Sequence, residues 1–135
     1  REGFPVQYPG NWPIDTGDPD YDPDALFSID TAGNCFVMFH LWNHDIDLDE
    51  AAAAQVVEFE GMLSSTSVTD FTTWGSYEGK GKEIKGKFLF LPTTVRPFAY
   101  TDGNRSFLVA EFCYDEDQPA VEPGFELVRT SFKLK

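Results

Sequence analysis

Five aspartates, Asp15, Asp18, Asp20, Asp22 and Asp24, crowd into ten residues of the stretch "YPGNWPIDTGDPDYDPDALFSID". Carboxylates at alternate positions can converge on one hard cation, and Asp18, Asp20 and Asp22 take the first, third and fifth positions of a calcium loop. The match ends there. The sixth position, glycine in such a loop, is Pro23, and the twelfth, a bidentate glutamate, is Ile29. Proline also removes the turn freedom that a calcium loop needs. A solvated connection, for which Asp and Pro are favoured residues, is the leading reading. An irregular calcium site on Asp18, Asp20 and Asp22 is the alternative.

A second concentration of ligand-type residues, "HLWNHDIDLDE", holds His40, His44, Asp45, Asp47 and Asp49. Two histidines four apart have the spacing of metal ligands on one helix face, which would make a zinc or other transition-metal site. Here the pattern places His40 in a strand and His44 in the following loop, so His40 reads as a core or edge histidine and Asp47 as a helix cap. Lys80, Lys82, Lys85 and Lys87 form a basic island in "GKGKEIKGK". Its functional reading is a docking patch for an acidic partner or headgroup. Its structural reading, which weighs more, is an exposed edge strand guarded by lysines against pairing with other chains.

Motifs of several enzyme classes are missing: no G-x-S-x-G elbow, no phosphate-binding glycine loop, no Cys-x-x-Cys pair. Carboxylates are so abundant that any chance pair carries no information about glycoside chemistry. Trp12, Trp42 and Trp74 could line a ligand pocket, but in these contexts tryptophans more often anchor a core or a loop. Cys35 and Cys113 either close one long-range disulfide or sit as buried thiols; their place inside two expected strands weighs toward thiols.

The whole chain of 135 residues has the size of one domain, 1–135, and carries 13 Phe with 41% hydrophobic residues, enough for a real core. Its formal charge of -13 sets up a field that repels phosphate backbones, so nucleic acid is not an expected partner. No run reaches the length of a membrane span.

The elements that must position these residues follow from periodicity. Phe4 to Tyr8 reads as a short strand, and Ala25–Thr31 and Cys35–Trp42 form a hairpin about Ala32-Gly33-Asn34. The second hairpin strand is apolar at both parities, which predicts burial on both sides. "DLDEAAAAQVVEFEGMLSS" is the one long helix, with Ala52, Val56, Phe59 and Leu63 along a stripe and Asp47 and Glu50 at capping-box spacing. Strands are expected near 68–78, 82–91, 95–101 and 106–114, with a hairpin turn at Thr101–Asn104. A short terminal helix follows over "FELVRTSF", with Pro123 in its first turn. Two helices covering opposite faces of a mostly antiparallel meander give an α+β, three-layer α/β/α sandwich.

This order of elements resembles the PsbP-like and DcrB-like proteins, which share a fold with the Ran-binding Mog family. Tyr8, Pro9 and Trp12 match their "Y-P-x-x-W" opening, Leu48 and Asp49 the start of the long helix, Asp102 and Gly103 the late hairpin, and Ser131-Phe132 the end. The resemblance implies the same three-layer sandwich and a non-catalytic accessory or protein-binding role, exported, tethered or secreted. Fold likeness does not carry function by itself. No enzymatic activity and no cofactor is expected, calcium at the aspartates excepted, and the partner is an unspecified protein.

Overall fold

The computed structural model describes residues 26–30 and 35–133. The expected Phe4–Tyr8 strand, Trp12 and the aspartates from Asp15 to Asp24 lie outside the described residues, as does the turn at Ala32-Gly33-Asn34.

Six strands, β1 (Leu26–Asp30), β2 (Phe36–Trp42), β3 (Ser64–Trp74), β4 (Tyr77–Phe88), β5 (Leu91–Thr101) and β6 (Ser106–Tyr114), form one antiparallel sheet in the order β1-β2-β6-β5-β4-β3. Helix α1 (Leu48–Met62) carries the chain from β2 across one face to the far edge. The meander β3 to β6 then returns to dock against β2, and α2 (Gln118–Ser131) crosses the other face. The result is the α/β/α sandwich expected from the sequence.

The register sorts the core into two layers. Val37, Phe39, Phe98, Phe107 and Val109 face α2, where Val121, Phe125, Val128 and Phe132 meet them together with Trp74. Ile84, Val95, Ala110 and Phe112 face α1 and receive Phe59 and Leu63. Central β6 is buried at every position, as its doubly apolar sequence requires. In β2, by contrast, only Val37, Phe39 and Leu41 are buried; Phe36, Met38, His40 and Trp42 are half-covered. Burial of β2 on both sides is therefore corrected: α1 packs over β3, β4 and β5 and leaves the second face of β2 only partly roofed.

Local chemistry explains the helix ends. The Asp47 carboxylate accepts from the Glu50 amide at 3.0 Å and so satisfies one of the first-turn donors of α1. Helix α2 begins at Gln118, several residues before the expected start, because Pro119 sits in its first turn, where a missing N–H costs nothing; Pro123 is interior. The turn after β5 is closed by Asp102, which accepts from the amides of Asn104 at 2.8 Å and Arg105 at 2.7 Å, with Gly103 at φ 94. These two amides hold the Asp102 carboxyl below the usual carboxylate range.

Cys35 and Cys113 are joined in a disulfide with a Cα–Cα distance of 4.3 Å. The reading as buried thiols is thereby corrected. Phe36 pairs with Phe112, so the two cysteines lie directly opposite on neighbouring strands. Facing positions in an antiparallel ladder approach closely enough to be bridged.

Candidate functional site

Three places in the described residues gather chemistry. The first is a cleft of about 440 Å³ under α2, lined among others by Glu83, Lys85, Arg96, Glu111 and Glu122. At its base Glu111, only 3% exposed, stands on central β6. Arg129 reaches it from α2 in a two-pronged pair, Nε to Oε2 at 2.8 Å and Nη2 to Oε1 at 2.8 Å. Trp74 donates its indole N–H to Oε2 at 2.8 Å. Arg129 also binds Glu122, and Glu126 at 2.9 Å. Burial works against the charge on Arg129, but hydrogen bonds and proximity to Glu111 and Glu122 outweigh it, and the guanidinium is held still more firmly protonated.

Arg96 completes the cluster. Its guanidinium lies 4.3 Å from the centre of the Phe71 ring and 3.9 Å from Glu111 Oε1. Its Nε approaches Glu83 at 3.5 Å, within ion-pair range but outside hydrogen-bonding geometry. Every acid that faces this cleft from the sheet is thus met by a cation. A carboxylate whose two oxygens accept three hydrogen bonds, two from an arginine fork and one from an indole, ties helix to sheet as a strut.

The second place is a largely apolar pocket of about 410 Å³ between β2, β6 and the first half of α1, lined by His40, Trp42, Ile46, Ala51, Ala54 and Leu108 among others. The alanine run of α1 leaves this space. His40 stacks on Trp42 with ring centres 3.9 Å apart, and partial burial pushes its imidazole below the ordinary value near 6.5. His44 is exposed in the loop, its Nδ1 2.8 Å from the Asp45 carbonyl. Trp42 has ring contacts with both histidines, at 3.9 Å to His40 and 6.4 Å to His44, and among the described residues no group of three or more His, Cys, Asp or Glu could hold a metal.

The third is the lysine strand with its hairpin tip. β4 lies between β3 and β5, so the reading of an edge strand guarded by lysines is corrected: β3, without a lysine, forms that edge. Strand alternation also divides the island. Lys80 and Lys82 point to the α1 side, where they pair with Asp49 and Asp70, each at 2.7 Å. That contact lowers the Asp49 pKa and raises that of Lys80. Lys85 and Lys87 point to the α2 side. Neither makes an ion pair among the described residues; Lys85 donates to Thr94 at 3.3 Å.

Just beyond Lys87 the chain reverses in two residues, Leu89 and Phe90, at φ 51 and 69. A two-residue hairpin with both residues left-handed is the kind of turn that favours Asn-Gly. Here it displays Leu89 at 73%, Phe90 at 94% and Leu91 at 41% exposure. The strand expected near 82–91 runs through this turn, since neither residue carries a turn signal. Glu111 and Arg129 are faint in the sequence as well. The available signal was one acid inside the apolar run "FLVAEFCY" and one arginine inside "FELVRTSF".

No family model and no curated protein matches the chain. Solved structures do. A Bacteroides thetaiotaomicron VPI-5482 protein superposes with a TM-score of 0.59 at 11% identity over 98% of this chain and 45% of that one. LpqN of Mycobacterium tuberculosis, involved in cell envelope biogenesis, superposes with a TM-score of 0.56 at 10% identity over 98% of this chain and 85% of its own. The chain thus spans less than half the length of the first of these. At such identities the likeness speaks to fold alone. No helix among the described residues is long and apolar enough to cross a membrane.

Proposed function

We propose that this is a non-catalytic accessory domain of the PsbP/DcrB-like kind, acting outside the cytoplasm by binding other proteins. The observation that carries the reading is the state of the charged groups in the cleft under α2. Glu111, Arg129 and Trp74 are bound to one another across the sandwich, an arrangement suited to holding a shape. Two further observations are in keeping with it. The Cys35–Cys113 disulfide suits an oxidising compartment, and a protein of like fold, LpqN, belongs to cell envelope biogenesis.

The test uses the native protein, taken from its own cells with a thiol-alkylating agent present at lysis. Both cysteines should resist alkylation until a reductant is added, and the protein should elute with a protein partner at fixed ratio. Rapid alkylation without reductant would contradict the location. A turnover activity abolished by Glu111→Gln in a variant that remains folded would contradict the non-catalytic reading.

A further inference from the structure

The hairpin tip between β4 and β5 pays twice for its sequence: non-glycine residues hold left-handed backbone, and large apolar side chains face water. Both costs fall on the same two residues, Leu89 and Phe90. Neither is needed for the core, which β4 enters through Ile84 and Phe88, and β5 through Val95 and Phe98. A turn under strain that displays apolar side chains is the pattern of a recognition element set on a rigid scaffold. The scaffold here is firm, because Phe88 packs on Phe112 and Tyr114 directly behind the turn, and the Asp115 amide donates to the Pro92 carbonyl at 2.9 Å.

We infer that Leu89 and Phe90 form a knob that inserts into an apolar pocket of a partner protein whose rim is acidic. The charge of the rim follows from Lys85 and Lys87. In a chain of net charge -13, exposed Lys87 adjoins the knob and exposed Lys85 follows on the same face, where it lines the cleft under α2 and donates to Thr94; neither has an ion pair among the described residues, whereas Lys80 and Lys82, farther along the strand, are paired. Fixed backbone and exposed aromatic area lower the ordering cost of docking, which is how a small central anchor dominates an interface. A bilayer fits less well. The net charge is repelled by anionic headgroups, and even a whole myristoyl chain, with more carbon to bury than this tip, anchors only marginally.

This inference rests on the binding reading above and names the surface that serves it. The experiment replaces Phe90 with a photo-cross-linking benzoyl-phenylalanine in cells that make the protein, with the same residue at exposed Val57 on α1 as the control position. Irradiation should give one protein adduct from position 90 and not from 57, mapped to an apolar pocket flanked by Asp or Glu. Purified wild-type domain added to permeabilised cells should suppress it. L89N/F90G, which installs the favoured turn residues and so remains folded, should need about 30-fold more, as expected for loss of a hot spot. K85E/K87E should compete at least about 10-fold less well at low salt than the wild type.

A lipid adduct, an adduct to a second copy of this chain, equal labelling from position 57 or no adduct would each overturn the proposal. Undiminished competition by L89N/F90G would overturn the knob, and undiminished competition by K85E/K87E the acidic rim. An adduct to a cytoplasmic protein would support the knob while contradicting the extracytoplasmic location, so the two readings fail separately.

Discussion

Replacing Glu111 by alanine should destabilise this protein by about 3 kcal/mol, at the low end of the cost of breaking a buried ion pair, because Glu122 and Glu126 still partly compensate Arg129. Glu126→Ala, at a residue in water, should cost less than about 1 kcal/mol. Urea unfolding of the two variants checks the contrast; equal losses would show that Glu111 is not the strut described. His40 gives the pH dependence. Its folded value lies below the unfolded one, so between the two the unfolded chain binds more protons. Its contribution is therefore fully present above about pH 6.5 and declines as pH falls below that value. His40→Gln should flatten the part of the stability profile between pH 7.5 and 5 that belongs to this residue. Asp47 and Glu50 line the same pocket and remain in both proteins, so the difference profile isolates the imidazole.

Among elements, the disulfide ties the start of β2 to the end of β6, residues separated by 78 in sequence. Removing it with C35A/C113A should cost about 2–5 kcal/mol, the range for loss of a native bridge, read as a lower urea midpoint. A variant as stable as the oxidised wild type would contradict this role. What the sequence disclosed at this scale depended on how punctuation relates to packing. Helix α1 was legible because the stripe Ala52, Val56, Phe59, Leu63 and the Asp47 cap say the same thing. The β6 strand and the Asp102-Gly103 turn were legible for like reasons. The β3–β4 and β4–β5 turns were displaced because local signals mislead there. Gly79 and Gly81 look like a break but lie inside β4, where a Cβ at Gly81 would collide with the Phe71 ring. The actual β4–β5 turn is Leu89-Phe90, whose types argue against a turn. The candidate site was harder still. The lysines were visible, but only the strand order shows that β4 is interior and that two of them are already paired.

At the scale of the molecule, one connection organises everything: α1 carries the chain across the sheet, so that β6 returns to the middle with a helix on either side. That arrangement joins Glu111 to both α2 and Trp74, and leaves the β4–β5 tip projecting from one end. The strut of Glu111 and Arg129 and the exposed tip, which holds two of the three non-glycine residues at positive φ among the described residues, lie in different parts of the sandwich, so the proposed knob can be altered without touching the strut. The L89N/F90G variant tests that division most directly. Urea unfolding of the purified domain should show a gain of about 1 kcal/mol, since left-handed backbone at non-glycine residues costs about 1–2 kcal/mol each and glycine returns part of it as chain entropy. Stability unchanged or lowered would contradict it, because Leu89 and Phe90 would then be serving the fold.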